Sequence, residues 1–385
     1  MKVIAELKEK VTKCNRCGTC QYFCPSYKVT RMETHVARGR LQLIRRSLEN
    51  DTAISRTFVK RMNQCLLCGN CSQNCPAGVI TEDLIEGLRE LSIEQHGPDP
   101  MLETTAKNIQ NVGNITGDAR ENRLLWFQNV DEKTLGGKVR VNEPAEYLYL
   151  PGCVATLYPS SYSIPQTFVS LLNKAGLDWS ILGEKENCCS YPLIIGGMKE
   201  EAKKAVEKYI KGITDLGVKN IVTTCPSCYC TWTKLYPQIL PGMPDIKIFH
   251  GTQFLAKLIK EGKFKFKETI CTVTYHDPCD LGRKSKIYNE PREILKAIPG
   301  VKLAEMKFNR ENAFCCGGGG NLEMNDSALS GQVAQLRVSQ ALDVKAEIII
   351  SSCQQCKRTL GAAARQMRAR IKVMDLTEFL FSAVE

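Results

Sequence analysis

The sequence predicts a multidomain chain of mixed α+β and α/β character, with a small helical N-terminal domain followed by two homologous α/β domains. Three observations predict it. Two runs of four cysteines with identical spacing stand near the N-terminus, at 14–24 and 65–75. From about residue 146 the chain repeats itself, so that Cys153, Cys188 and Cys225 recur as Cys279, Cys315 and Cys353, at offsets of 126, 127 and 128 residues. Within each copy, short apolar strand-like runs alternate with helical ones, the pattern of an α/β unit. The predicted division is 1–97 for the helical domain, 98–145 for a linker, 146–262 for the first copy and 263–385 for the second.

Bulk composition sets the class. A hydrophobic share of 43% and a charged share of 24% are ordinary for a soluble globular protein, but 20 cysteines are not. Small secreted proteins use such numbers as disulfides, and a chain of 385 residues has no need of staples. The opening MKVIAELKEKVTKC has neither an apolar leader core nor a small-residue cleavage site. The expectation is a reduced, cytoplasmic protein whose thiolates bind metal. No stretch approaches the roughly 18 apolar residues of a membrane span, so any membrane association is expected through a partner. The net charge of +11 is spread along the chain, and thiolate-bound metal groups would add compensating negative charge. Nucleic-acid binding is therefore not expected.

Cys14, Cys17, Cys20 and Cys24 read C-x2-C-x2-C-x3-C, closed by Pro25; Cys65, Cys68, Cys71 and Cys75 repeat it, closed by Pro76. That is the spacing of two-cluster ferredoxins, in which three close cysteines cap one [4Fe-4S] cubane and the fourth crosses to the other. Cys14, Cys17, Cys20 and Cys75 are thus expected to hold one cluster, and Cys65, Cys68, Cys71 and Cys24 the second. Zinc would accept four thiolates, but does not explain two proline-closed runs. Between the runs, VARGRLQLIRRSLEN (36–50) carries Leu41, Ile44 and Leu48 at helical spacing. It reads as a surface helix packed on the cluster lobe, with a basic docking face as the alternative. EDLIEGLRELSIEQH (82–96) reads as a second helix, stopped by Gly97 and Pro98. In the linker, Trp126 and Phe127 read as an anchor against one of the lobes.

Each copy then follows one grammar. An apolar run (YLYLPGC or CTVTYHDPC) precedes a helix, a loop with an adjacent cysteine pair, a longer helix, and a second run (NIVTTC or EIIISSC) leading into C-x2-C. Cysteines at strand ends and in loops lie where open α/β sheets build ligand sites. Five converge per copy, one more than a cubane needs. Gly317–Gly320 follow the second pair, a run that lets backbone approach a bulky cofactor and donate N–H groups to its sulfurs. Ser190 and Tyr191 follow the first pair instead, with Gly196 and Gly197 further on, so the two sites are not expected to be equivalent. Cys230 and Cys271 remain as structural cysteines. His276 and Asp277 stand before Cys279, either to act on a ligand sulfur or to cap the strand.

C-x34-CC-x35-C-x2-C and C-x35-CC-x36-C-x2-C, with ARGRLQLI, CPAGV, HDPCDLGR and ENAFCCGGGG, resemble the duplicated CCG domains of the heterodisulfide reductase catalytic subunit and the iron–sulfur subunits of glycolate oxidase and its relatives. The resemblance covers nearly the whole chain. It implies a non-cubane [4Fe-4S] cluster held by Cys153, Cys188, Cys189, Cys225 and Cys228, and another by Cys279, Cys315, Cys316, Cys353 and Cys356, the latter set carrying catalysis. A cubane at one site with its fifth cysteine free is the alternative. No G-x-G-x-x-G stands at a strand–helix turn, so no flavin or nicotinamide site is expected in this chain. The first functional reading is an electron-relay subunit between a flavoprotein partner, of the 2-hydroxyacid dehydrogenase kind, and a further carrier such as a quinone or membrane cytochrome. The second is a subunit that cleaves a disulfide between paired clusters. The third is a module of a larger electron-bifurcating or low-potential reductase complex.

Overall fold

The computed structural model describes residues 2–49 and 54–385. Helices Lys2–Thr12, Ala37–Glu49, Arg56–Asn63 and Thr81–His96 surround the two N-terminal cysteine loops. Their inward faces, with Val11, Leu41, Ile44, Met62 and Leu84, form one small core. The 36–50 segment is a helix packed on this lobe, and its last residue, Asn50, lies outside the described residues. Its basic character is partly internal. Arg40 is buried and donates to the carbonyls of His35, Arg61 and Gln64, which holds the inter-run segment around it.

The repeat becomes two four-stranded parallel sheets. The first copy contributes β1 (Tyr147–Leu150), β2 (Trp179–Ile181), β3 (Asn220–Thr223) and β4 (Lys247–His250), in the order β2-β1-β3-β4. The second contributes β5 (Cys271–His276), β6 (Val301–Leu303), β7 (Ile348–Ser351) and β8 (Lys372–Asp375), in the order β6-β5-β7-β8. Sequence grammar finds the central strands β1, β3, β5 and β7. It passes over the edge strands, which are less completely buried than the central ones in three of the four cases and do not run into cysteines. In each sheet the chain leaves its first strand toward one edge and returns on the other side, so a topological switch point lies between β1 and β3, and between β5 and β7. Ligand sites form outside the carboxyl ends of strands at such points.

Small repeated details mark common ancestry of the copies. Tyr149 bonds Thr224 at 2.9 Å and its counterpart Tyr275 donates to Ser352 at 3.1 Å, each tying the two central strand ends together. His250 and Asp375 both open their following helices with a capping box. The copies share one core: Tyr149, Phe168 and Phe254 of the first pack with Tyr275, Ile350 and Phe379 of the second. The sheets are thereby fused, and their switch points are held at a fixed relation.

The segment 98–145 is more than the linker its composition predicts. Pro100–Val112 is a helix that Asp99 caps, and its Leu102, Ala106 and Ile109 bury into the first copy's core. The i, i+4, i+7 stripe was obscured by surrounding Thr, Asn and Lys. Further on, Trp126 is fully buried in the shared core with Leu135 and Val139, and Phe127 packs partly against it. Replacing Trp126 with alanine is expected to cost about 3–5 kcal/mol of folding stability, as for a large core aromatic. Denaturant unfolding of the iron-loaded protein checks this, and a loss below about 1 kcal/mol would mean that the segment is only loosely attached.

Candidate functional site

The N-terminal cysteines surround two voids. Gly18 and Gly69 adopt left-handed backbone (φ 88° and 72°), which turns each loop into a short helix, Thr19–Phe23 or Asn70–Gln73, that carries the third cysteine. Cys14, Cys17, Cys20 and Cys75 line the first void, with Cys71 also at its wall. Cys24, Cys65, Cys68 and Cys71 line the second. Backbone N–H groups aim at the sulfurs: Arg38 at Cys20 (3.3 Å) and Val79 at Cys75 (3.4 Å). Cys17 is exposed, whereas Cys65 and Cys68 are buried, so the first void lies at the surface and the second inside. Burial pushes the Cys24 thiol up to about 12, so in the absence of bound metal it is held neutral.

In each copy the five repeated cysteines gather at the switch point. Cys153 follows β1 and Cys225 follows β3, while the 188–189 pair arrives on the loop before helix Tyr191–Gly196. The Cys228 thiol donates to the Cys189 sulfur at 3.4 Å, and the titrations of neighbouring thiols are linked from Cys189 to Cys188 and Cys153, and from Cys228 to Cys225. In the second copy the titrations of Cys279, Cys315, Cys316, Cys356 and Cys353 are linked in the same order, and the backbone N–H of Cys356 donates to the Cys353 sulfur at 3.4 Å. None of these thiols is in a disulfide. Hydrogen bonding from Cys188, helped by Arg123, draws the Cys153 thiol down to about 6 against the effect of burial. Cys315 and then Cys356 do the same for Cys316. The N–H groups of Ser190 and Gly318 each donate to a sulfur of the preceding pair, Cys188 and Cys316, at 3.4 Å.

The two thiol sets face one cavity of about 640 Å³. All five cysteines of the first copy line it, with Cys279, Cys316, Cys353 and Cys356 of the second. Cys315 is not among the lining residues and is buried beside Cys316. Several ties cross the gap, two of them beside cysteines. Gln354, beside Cys353, accepts from the N–H of Ala155 (3.1 Å) and donates to the carbonyl of Pro151 (2.6 Å), on either side of Cys153. Asp280, beside Cys279, accepts from Tyr191 (3.0 Å) and Ser227 (2.7 Å) of the first copy, and pairs with Lys284 (2.9 Å).

The glycine run has a role beyond the one its composition suggests. Gly318 does present its N–H to a sulfur, but Gly320 (φ 63°) serves a different contact. A Cβ there would stand 2.4 Å from the carbonyl carbon of Leu66 and 2.5 Å from the oxygen of Cys65. The run thus admits the second N-terminal cysteine loop against the second copy's thiol set. Arg283 locks the contact by donating to the carbonyls of Cys68, Glu311 and Ala313.

Sequence reading missed Arg123, Glu186 and Gln354. Arg123 is fully buried and donates to Cys153 Sγ at 3.2 Å and to the carbonyl of Gly113 at 3.0 Å, with Glu186 3.7 Å away. Burial opposes its charge, but Cys153 and Glu186 hold it above the ordinary guanidinium range. Glu186 accepts from Gly152 N–H, and burial raises its carboxyl to about 7. No motif surrounds Arg123, which lies in the segment read as a linker. Asp277 proves structural, clamped by Arg292 and by the N–H of Arg310. His276 receives a bond from Arg337, and its ring lies with Cys316 and Cys356 in a group whose donor atoms are within 4.8 Å of one another. Cys230 is buried, with its thiol pushed to about 12; Cys271 is only half-buried at the start of β5.

Residues 10–79 match a family model described as a 4Fe-4S dicluster domain, and residues 147–232 and 273–361 match one described as a cysteine-rich domain. The chain is 30% identical, over 97% of its length and 94% of the relative's, to a subunit of the dihydromethanophenazine:CoB–CoM heterodisulfide reductase of Methanosarcina acetivorans. It belongs to the family of that iron–sulfur protein. It is also 28% identical, over 97% of its length and 58% of the relative's, to the EtfAB:quinone oxidoreductase of Syntrophomonas wolfei. A solved structure of a hypothetical protein from Helicobacter pylori shares the fold, with a TM-score of 0.59 over 99% of this chain and 76% of that one, at 12% identity. Members of the family are iron–sulfur subunits of oxidoreductases, and this chain is one such subunit. The residues fit that cofactor. Soft all-thiol donor sets surround voids, remain out of disulfides, and receive backbone N–H bonds at sulfur, which is what an iron–sulfur cluster requires. Cys316→Ala is expected to remove about four irons per chain and leave the N-terminal sites filled. Iron analysis with low-temperature electron paramagnetic resonance reads the outcome; unchanged iron would take Cys316 out of the ligand set.

Proposed function

We propose that the chain is the disulfide-reducing subunit of a multisubunit oxidoreductase and receives its electrons from a partner at the N-terminal domain. One observation carries the reading: nine of the ten repeated thiols, from both copies, line a single cavity, which reaches the surface at the exposed Met101. Disulfide reduction, R–S–S–R + 2 e⁻ + 2 H⁺ → 2 RSH, needs both electrons delivered at one S–S bond. Two thiol sets that open on one cavity are suited to that, because centres held by both could act on one bond there.

The proposed ligand sets are Cys14, Cys17, Cys20 and Cys75, then Cys65, Cys68, Cys71 and Cys24, for two cubane clusters. Cys153, Cys188, Cys189, Cys225 and Cys228, and Cys279, Cys315, Cys316, Cys353 and Cys356, are proposed for two non-cubane [4Fe-4S] clusters. Such clusters, when bound, supply electrons one at a time. The protein's own part is positioning. Arg123 holds Cys153 and balances its charge, Gln354 fixes the Pro151–Ala155 turn around it, and the Asp280 network keeps the facing walls in register. The exposed loop of Cys17 is the side offered to the electron-donating partner, and the buried loop of Cys65 and Cys68 abuts the second copy. No helix among the described residues is long and apolar enough to cross a membrane. Any membrane acceptor would therefore be met through another subunit.

The relay reading, with a flavoprotein donor and a quinone acceptor, has one support of its own. The chain matches EtfAB:quinone oxidoreductase along 97% of its length. An anaerobic assay separates the two. With reduced methyl viologen as donor, the iron-loaded chain is expected to release free thiol from a small organic disulfide, at two viologen radicals per disulfide. Quinone reduction under the same conditions, with no thiol released from any disulfide, would make the relay the function.

A further inference from the structure

The cavity wall carries information about what enters. Four charged side chains line it, Glu186, Asp280, Glu323 and Arg358, and each already has its counter-charge. Glu186 has Arg123 at 3.7 Å, Asp280 has Lys284 at 2.9 Å, and Glu323 has Arg358 at 2.8 Å. Arg358 is further committed to the face of Tyr158, 4.3 Å from its ring centre. Among the described residues, no free cation lines the cavity. Its floor is thiols, which become thiolates when they bind metal and so add negative charge.

The remaining wall comes from the segment between the domains. Met101, Thr104, Thr105 and Asn108 of helix Pro100–Val112, and Ile115 and Thr116 of the turn after it, all line the cavity, and all are uncharged. The turn is fixed. Asn114 accepts from the N–H groups of Thr116 and Gly117 and donates to the carbonyl of Asp118. Gly113 anchors it to the thiol set by accepting from the N–H of Cys188 at 2.7 Å. Neither family model covers this stretch, which lies between the matched regions.

We propose that residues 100–116 form the specificity wall of the cavity and that the disulfide they admit is uncharged. The inference rests on the disulfide-reducing reading above. An anionic disulfide would leave its water, find no free cation, and approach a floor of like charge, each of which opposes binding. An uncharged disulfide loses little on leaving water and meets methyl, thioether and neutral hydrogen-bonding groups. The step is the balanced two-electron, two-proton cleavage already written, with reduced viologen as the electron donor in the assay.

The test uses the iron-loaded full chain, with hydroxyethyl disulfide as the neutral substrate and dithiodipropionate as a dianion of similar size. The wild type is expected to favour the neutral disulfide by at least about tenfold in kcat/KM. Met101→Arg and Thr104→Arg place a cation at the mouth and are expected to narrow or reverse that ratio at unchanged iron content. Calorimetric binding of both disulfides to the oxidised protein should follow the same order. If the dianion is bound and reduced as well as the neutral compound, or if the arginine variants leave the ratio unmoved, the specificity inference is overturned while disulfide reduction stands. If the fully loaded wild type neither binds nor reduces either compound, the disulfide-reducing reading itself falls, and this inference with it.

Discussion

The fold is organised around one electrostatic constraint: many thiols that act as anions must be gathered in a water-poor interior. An unbalanced buried charge is expensive, so each cysteine group needs cations and N–H donors brought in with it. The structure supplies them largely as buried arginines. Arg40 lies near Cys24, Arg89 near Cys65, Arg283 near Cys68 and Cys279, and Arg337 near Cys316 and Cys356. None of these four has an ion-pairing carboxylate among the described residues. Each also donates to backbone carbonyls, such as those of Met62, Asn63 and Cys65 around Arg89. The net charge of +11 is thus partly an internal property. It balances thiolates from within, and its meaning is lost when the charges are counted as though all were on the surface.

The same arginines join domains that a reading by composition treats as separate. Arg89 of the N-terminal domain donates to the carbonyl of Ile195 in the first copy as well as to its own loop. Arg283 of the second copy holds the Cys68 carbonyl, and Asn70 reaches Asn312 and Ala313. Redox centres exchange electrons only if their spacing is fixed, so interfaces built from buried, directional bonds suit this purpose better than greasy contacts that slide. Charge balance and electron transfer therefore place the same demand on the interfaces.

Much of this was legible in the sequence because metal ligation fixes spacing. The C-x2-C-x2-C-x3-C-P runs, the duplicated CC pairs and the central strands leading into cysteines are short-range patterns, and they mark the N-terminal lobe and both sheets. What the sequence did not disclose depends on long-range pairing. Arg123 meets Cys153 across 30 residues and Gln354 meets Ala155 across 199, and nothing local marks either. The 100–112 helix was hidden for another reason: its apolar stripe is narrow, and the surrounding Thr and Asn resemble a loop. Gly320 was visible as a glycine, but the backbone it accommodates belongs to a different domain.

The duplication also divides labour, and the division follows from which neighbour each copy has. The second copy's glycine run is pressed against the Cys65–Leu66 backbone, so its thiol set faces the N-terminal domain. The first copy has Ser190 where the second has Gly317, in the same left-handed conformation (φ 59° and 93°). Gly317 must be glycine, because a Cβ there would stand 2.3 Å from the carbonyl of Ser330. No such crowding requires glycine at residue 190. The first copy's set is flanked instead by Gly113 and Arg123, from the segment that walls the cavity. One copy's set thus abuts the N-terminal domain and the other abuts the 98–145 segment. Two sites of common origin can diverge in this way without changing a single cysteine, because the difference lies in the backbone that each must admit.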